Sequence, residues 1–172
     1  MNFSVLIASV SSIIPYFLYG YAYLFPNRIL RYITQSQFID IIKFFKTVTF
    51  LSILPLTYKA GLNIPGVCVG GPLILIGEYL NEMVYRLLGI RGVFYGAEFG
   101  SVKPKEKLSQ FPFTMSDPQL KGSLMIVIGA CMCLKTTREL IAVTIPWVFS
   151  YFFLMIIENH SVFPNDSEII QS

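Results

Sequence analysis

The stretch that decides the fold is residues 139–157, ELIAVTIPWVFSYFFLMII, in which a single glutamate precedes an uncharged run. As an α-helix these 19 residues measure about 28 Å, close to the roughly 30 Å hydrocarbon core of a bilayer. The stretch therefore predicts a helix that crosses a membrane.

Earlier segments of the chain share this apolar character. Residues 4–25, 38–58 and 64–88 are each long enough to cross a bilayer. Residues 122–134 are apolar but number only 13, about 20 Å as a helix, which is too short to span unaided. We expect this segment to form a short or partly re-entrant arm of a hairpin with residues 139–157. The sequence thus predicts an all-α, polytopic membrane helical bundle of four to five helices, one of which can be re-entrant.

The overall composition agrees with a membrane protein. Hydrophobic residues make up 54% of the chain, charged residues 13%, and the mean hydropathy is +0.62, whereas soluble domains carry about 25% charged residues. A chain of 172 residues has room for one domain, residues 1–172. The small net charge of +3 argues against a nucleic-acid partner. The N-terminal residues lack the basic region of a cleavable signal peptide. Three cysteines in apolar surroundings and one histidine predict neither a disulfide framework nor a metal site.

Basic residues are concentrated in two connections. Arg28 and Arg31 lie in the first connection, and the long connection before residue 111 contains the basic loop, residues 103–107. Positively charged connections face the cytoplasm. We therefore expect both connections on the cytoplasmic side and the N-terminus on the opposite side.

The third apolar segment carries a polar stripe. Glu78, Asn81, Glu82 and Tyr85 follow helical spacing on one face. An ionisable residue within a spanning helix costs about 2.5–3.5 kcal/mol on insertion scales and usually faces a cavity or a partner. The stripe predicts that both glutamates point into the bundle. The alternative is a position at the headgroups, where this cost is small.

The stretch that carries most of the functional information is residues 88–123. It begins LGIRGVFYGAEFGS, in which Gly92, Gly96 and Gly100 recur every fourth residue. On a helix these glycines would form one ridge without side chains, which another helix or a flat ligand can approach closely. Two further elements follow this ridge: the Phe-Pro-Phe run at residues 111–113, and Asp-Pro and Gly-Ser at residues 117–118 and 122–123.

This stretch resembles the phosphatidylethanolamine N-methyltransferases and related phospholipid methyltransferases. The likeness covers about residues 70–160 and leaves residues 161–172 as a polar tail. It implies that the protein transfers methyl groups from S-adenosylmethionine to phosphatidylethanolamine, or to its mono- or dimethyl form, in phosphatidylcholine synthesis. It also implies an integral protein of the endoplasmic reticulum or mitochondrial membrane.

The resemblance also implies the site residues. Gly77 corresponds to the second glycine of the family's Gly-x-Gly element, Leu75 stands at the first, and Glu158 and Asn159 correspond to a Glu-Glu pair. The predicted cofactor-binding residues are Gly71, Leu75, Gly77, Glu158 and Asn159. The predicted substrate-binding residues are Phe111, Pro112, Phe113, Gly122 and Ser123. Apart from the resemblance, the polar stripe contributes Glu78 and Glu82, which with Asp117 are the predicted catalytic residues. The proton that the amine must lose could be accepted by Glu78, Glu82, Glu158 or Asp117.

Two other functions remain open at this point. The chain could be a catalytically inactive relative or a non-enzymatic scaffold whose glycine ridge serves oligomerisation. It could also methylate another membrane substrate, such as a prenylcysteine carboxylate. The expected partners are the bilayer and its phospholipid substrate, with a homo-oligomer left open.

Overall fold

The structure, a computed structural model, describes residues 3–101 and 111–159, except for the side chain of residue 159. The helices in these residues are α1 (Phe3–Leu24), α2 (Pro26–Leu30), α3 (Gln35–Ala60), α4 (Ile64–Val93), α5 (Pro118–Cys133) and α6 (Arg138–Asn159). The predicted basic loop and polar tail lie outside the described residues.

Three of the helices are suited to cross a membrane. By length and composition, α1, α4 and α6 qualify, and α5 is a shorter apolar helix of 16 residues. These helices confirm the predicted all-α membrane bundle. Helix α3 has 26 residues but is less apolar, because it carries Asp40, Lys43, Lys46 and Lys59. Helix α3 is therefore as long as the span predicted at residues 38–58, but its composition is less apolar than that of α1, α4 and α6.

Hydrogen bonds between connections define one end of the bundle. Leu62 and Leu134 form an antiparallel bridge, Asn63 N–H donates to the carbonyl of Cys133 at 2.9 Å, and Lys135 N–H donates to that of Gly61 at 3.0 Å. We call this the bridged end. Since α3 and α5 end there and α4 and α6 begin there, the C-terminal ends of α4 and α6 lie together at the opposite end, which we call the far end.

Helix α1 runs antiparallel to α3 and parallel to α6. Near the bridged end, the Ser9 hydroxyl donates to the carbonyl of Ala142 at 3.3 Å. Near the far end, the Tyr23 hydroxyl donates to the backbone carbonyl of Glu158 at 3.3 Å. The helix continues through Pro15, whose side chain is buried against the other helices. The two connections predicted to be cytoplasmic therefore both start from the far end.

Glycines allow α4 and α5 to pack backbone against backbone. A Cβ atom at Gly70 would lie 2.4 Å from the carbonyl oxygen of Gly129, and one at Gly77 would lie 2.4 Å from that of Gly122. Real Cβ atoms do not approach so closely, so both positions require glycine. The close approach explains why α5, although short, makes its most extensive interface with α4.

The predicted ridge of Gly92, Gly96 and Gly100 on one helix is wrong. Helix α4 is interrupted at Gly89, where φ is +68°, and it ends at Val93. Residues 94–100 form turns, and Gly100 also has a positive φ of +66°. Glycine spacing alone did not distinguish a helical ridge from a series of turns, although positive φ in turns favours glycine more than a helix interior does.

Candidate functional site

A cavity of about 350 Å³ lies at the far end of the bundle. Its walls come from α1, α3, the C-terminal part of α4, the turns after α4, the start of α5 and the end of α6. Among the described residues, the ionisable side chains that line it are three acids and one lysine, together with five tyrosines. They are Glu98, Asp117, Glu158, Lys46, Tyr16, Tyr19, Tyr23, Tyr95 and Tyr151.

Glu158 is held by a tyrosine of the turns after α4. The Tyr95 hydroxyl donates a hydrogen bond to Oε1 of Glu158. Burial raises the pKa of Tyr95 well above its ordinary value, and the neighbouring Glu158 charge raises it further. Tyr95 therefore stays protonated and remains a donor to the carboxylate.

Glu98 supplies a second acid to the cavity from the same turns. Its side chain is half-buried, and this burial raises the pKa of the carboxyl group above its ordinary value. Glu98 consequently accepts a proton more readily than an exposed glutamate does.

The tyrosine rings form a continuous aromatic wall. The ring centroids of Tyr16 and Tyr151 are 4.5 Å apart, those of Tyr19 and Tyr95 are 5.7 Å apart, and those of Tyr23 and Tyr95 are 5.9 Å apart. Aromatic faces attract cations, including quaternary ammonium groups. A wall of rings beside three carboxylates is therefore suited to a cationic ligand.

Two lining residues have an unusual backbone conformation. Tyr95 has φ +55° and Asp117 has φ +48°, and they are the only non-glycine residues with positive φ in the part of the chain that the structure describes. Such conformations persist where surrounding contacts impose them, often at functional sites. Both of these residues border the same cavity.

A side chain of α3 fixes the turns that carry Tyr95 and Glu98. Helix α3 begins with a capping box of Thr34 and Gln37. At its first residue, Gln35 Nε2 donates to the carbonyls of Arg91 at 3.1 Å and Phe94 at 3.0 Å, and the Ser101 hydroxyl donates to Gln35 Oε1. The start of α3 therefore anchors both ends of the turn segment.

Some of the residues predicted from the sequence do line the cavity. They are Phe113, Asp117, Ser123 and Glu158. Pro112 is buried beside the cavity residues without lining it, whereas Phe111 stacks on Tyr79 at 6.2 Å between centroids. The side chain of Asn159 is outside the described part.

The predicted cofactor residues of α4 lie elsewhere. Gly77 and Gly122 pack against each other, Leu75 is 71% exposed, and Gly71 has no neighbour at its Cβ position within 4 Å. None of Gly71, Leu75 and Gly77 lines the cavity, and neither does Gly122 of α5, which was predicted to bind substrate. Their roles in binding stay predictions without structural support.

The expectation that Glu78 and Glu82 point into the bundle is wrong. Both side chains are exposed, and Glu82 Oε1 pairs with Arg86 Nε at 2.6 Å, with the Glu82 side chain 59% exposed. The physical reason is that Gly77 and Leu80 occupy the buried face of α4. Within the stripe, the Asn81 amide donates to the Ser123 hydroxyl of α5 at 3.2 Å, and Tyr85 packs partly buried against the core.

Sequence reasoning missed much of the cavity wall. Tyr16, Tyr19 and Tyr23 of α1 are spaced i, i+3, i+7 and so share one helix face. That stripe of hydroxyl-bearing rings on an apolar segment could have been found in the sequence. Tyr95 and Glu98 could not, because their placement depends on where α4 ends.

Comparisons with known proteins identify the family of this chain. A family model described as phospholipid methyltransferase matches residues 66–162, which is more than half of the chain. The chain therefore belongs to the phospholipid methyltransferase family. The match includes α4, α5 and α6 but leaves out α1 and α3, which supply Tyr16, Tyr19, Tyr23 and Lys46.

Two curated relatives are similar over part of their length. Phosphatidyl-N-methylethanolamine N-methyltransferase of Arabidopsis thaliana is 34% identical over 108 residues, 62% of each chain. Phosphatidylethanolamine N-methyltransferase A of Dictyostelium discoideum is 33% identical over 84 residues, 48% of this chain and 38% of the relative. The chain thus matches less than two thirds of the length of either relative. No solved structure matches it.

Proposed function

We propose that the protein transfers methyl groups from S-adenosylmethionine to the amine of phosphatidylethanolamine or of its mono- or dimethyl form. The observation that carries this proposal is the far-end cavity, where three carboxylates face a wall of tyrosine rings in a family of phospholipid methyltransferases. The names of both relatives support the same substrate class.

The charge of the cavity suits this reaction. The methyl donor carries a positive sulfonium, and methyl transfer to the neutral amine forms an ammonium cation. Two positive groups brought together at low dielectric repel strongly unless negative groups offset them. Glu98, Asp117 and Glu158 supply that negative charge, and the tyrosine faces add a further attraction for cations.

The cavity residues fit S-adenosylmethionine in their chemistry. When bound, it supplies an electrophilic methyl group on sulfur. Glu158, oriented by Tyr95, would hold cationic or hydroxyl groups of the cofactor through charge-assisted hydrogen bonds. A volume of about 350 Å³ lies in the usual range for ligand sites.

The chain itself must remove a proton from the amine, since only a neutral amine is nucleophilic. Glu98 is the acceptor we favour, because burial raises the pKa of its carboxyl group and brings it closer to that of a working base near neutral pH. Asp117 lines the same cavity and is the second candidate. Holding amine and donor in one enclosed cavity supplies the remaining advantage through proximity.

The test supplies radiolabelled methyl donor and liposomes of phosphatidylethanolamine or its monomethyl form to the purified protein. We expect labelled lipid from the wild type, and at least about a hundredfold loss with Glu158→Gln, as for the removal of an electrostatic group at a reacting centre. The matched control is Glu82→Gln, an exposed glutamate outside the cavity, which should retain activity. Absence of labelled lipid with every substrate form would instead favour an inactive relative.

A further inference from the structure

A second, apolar cavity adjoins the first. It has a volume of about 410 Å³ and is lined by side chains of α1, α3, α5 and α6. Tyr16, Lys46 and Tyr151 line both cavities. These three residues therefore form the boundary between an acidic, aromatic site and an apolar one.

The apolar cavity presents few free polar groups. The Thr49 hydroxyl bonds to that of Ser11 at 2.9 Å, Cys131 Sγ lies 3.1 Å from the Thr144 hydroxyl, and Trp147 Nε1 donates to the Tyr16 hydroxyl at 3.1 Å. Since these groups bond to one another, the cavity offers water little to bind. Apolar cavities of this kind take apolar occupants.

Lys46 is placed unusually for a lysine. It follows Ile42 by four residues and precedes Thr49 by three, so it lies on the same face of α3 as these two buried residues although Lys46 itself is exposed. Its ammonium lies over the rings of Tyr19 and Phe94, at 5.5 and 6.0 Å from their centroids. The Lys46 side chain is exposed and lines both cavities.

Lys46 also lacks a carboxylate partner within ion-pair distance. Across residues 3–101 and 111–159, ion pairs within 4.0 Å join Lys59 to Glu139 and Arg86 to Glu82, and none includes Lys46. The Lys46 ammonium thus borders an apolar cavity without an anion beside it, and a phosphate there would form a charge-assisted bond with it. This position therefore favours a ligand that brings a negative charge.

We propose that the apolar cavity holds one hydrocarbon chain of the phospholipid substrate and that Lys46 binds its phosphate. This inference rests on the proposed function. The order of groups along the lipid is amine, phosphate, then hydrocarbon chain. The protein presents the complementary groups in the same order: carboxylates and tyrosines, then Lys46, then the apolar cavity.

The only tryptophan of the chain gives a readout that does not need activity. Trp147 lines the apolar cavity. A phosphatidylethanolamine with a brominated chain should quench Trp147 fluorescence when the chain enters, because bromine quenches at contact. In detergent micelles, we expect quenching to saturate at a low mole fraction of this lipid, and brominated diacylglycerol, which lacks the phosphate, to quench much less.

Two variants test the two halves of the site separately. Lys46→Gln should raise about tenfold the mole fraction of brominated lipid at which half of the quenching is reached, because a charge-assisted bond to the lipid is lost. Lys46→Arg keeps the positive charge and should restore binding. Ala130→Phe puts a ring into the apolar cavity and should abolish the saturable quenching. Quenching that is identical in the wild type and in both variants would overturn the proposal.

Binding of radiolabelled S-adenosylmethionine separates the lipid phosphate from the other anion that could reach Lys46, the carboxylate of the cofactor. We expect Lys46→Gln to leave cofactor affinity within about twofold of the wild type. A tenfold loss of cofactor affinity without a change in lipid quenching would overturn the phosphate assignment. Saturable quenching without methyl transfer would instead contradict the proposed function and leave the lipid site standing.

Discussion

At the scale of single residues, Tyr95 connects the backbone of the turns to the chemistry of the cavity. Its positive φ directs the side chain toward α1 and α6, where its ring contacts Tyr19 and Tyr23. Its hydroxyl donates to Glu158. Tyr95 is thus a positioning residue, which acts on a ligand through the carboxylate that it holds.

Tyr95→Phe should weaken cofactor binding by about tenfold or more, because hydrogen bonds to charged groups contribute about 1.5–3 kcal/mol. The ring contacts remain, so the loss reports on the hydroxyl alone. The measurement is equilibrium binding of radiolabelled S-adenosylmethionine in detergent. Tyr79→Phe is the control, since Tyr79 is 56% exposed and outside the cavity. Equal affinity for Tyr95→Phe and wild type would contradict the assigned role.

Glu98 should make stability depend on pH. Burial raises the pKa of its carboxyl group above that of the unfolded chain. The folded state therefore binds this proton more tightly, and the stabilisation is complete below the unfolded pKa and lost as pH rises through the folded pKa.

Glu98→Gln removes this dependence. We expect the variant to melt a few degrees higher than the wild type at about pH 8, and the difference to shrink toward about pH 4, near the ordinary pKa of glutamate. Thermal unfolding followed by circular dichroism in one detergent across this range is the measurement. A difference that grows as the pH falls would show the opposite shift.

At the scale of elements, α4 has two separate functions along its length. Its first half packs against α5 through Gly70 and Gly77, and its last turns line the cavity through Val84 and Leu88. The interruption at Gly89 lies between the packed part and the last turn of the helix. Changes in the first half should therefore affect stability more than ligand binding.

Adjacent glycines of α4 offer a matched test. Gly70→Ala puts a Cβ 2.4 Å from the Gly129 carbonyl oxygen, and we expect a loss of about 1–3 kcal/mol, as in other overpacked interiors. Gly71→Ala meets nothing within 4 Å and should be neutral or stabilise by about 0.5–1 kcal/mol, as alanine does in helices. Melting temperatures of the two variants provide the comparison. Similar destabilisation by both would argue against close packing of α4 on α5.

The polar stripe of α4 shows where sequence reasoning reached its limit. Spacing correctly placed Glu78 and Glu82 on one face, since helical periodicity is local. It could not determine which face was buried, because that depends on the glycine contacts with α5. Asp117, Ser123, Phe113 and Glu158 were found from the resemblance, whereas Lys46 required the packing of α3 against the bundle.

At the scale of the whole molecule, the predicted helices agree with the structure because apolar length is itself a local property. The all-α bundle and its approximate boundaries followed from the sequence. The cavity did not, because it joins residues from α1 to α6 that are up to 142 positions apart, Tyr16 and Glu158. Such long-range proximity is set by helix packing rather than by any single segment.

The two ends of the bundle should lie on opposite sides of the membrane. In a variant with Cys68, Cys131 and Cys133 replaced, we expect Tyr32→Cys and Ser116→Cys to react with an impermeant thiol reagent from the same side. Both residues are exposed and belong to far-end connections. Lys135→Cys, at the bridged end, should react only from the other side. Labelling of all three from one side would contradict a bundle that crosses the membrane.

The length of α5 has a consequence for how a lipid encounters the protein. With 16 residues, α5 is about 24 Å long, roughly 6 Å less than a hydrocarbon core. Because its C-terminal end is bonded to the α3–α4 connection, we expect the shortfall at Asp117, on the cavity side. We therefore predict that the cavity lies below the level of the surrounding headgroups and that a lipid enters it by lateral diffusion. Turnover should follow the number of substrate lipids per unit area, so dilution with inert lipid slows it while dilution with buffer does not.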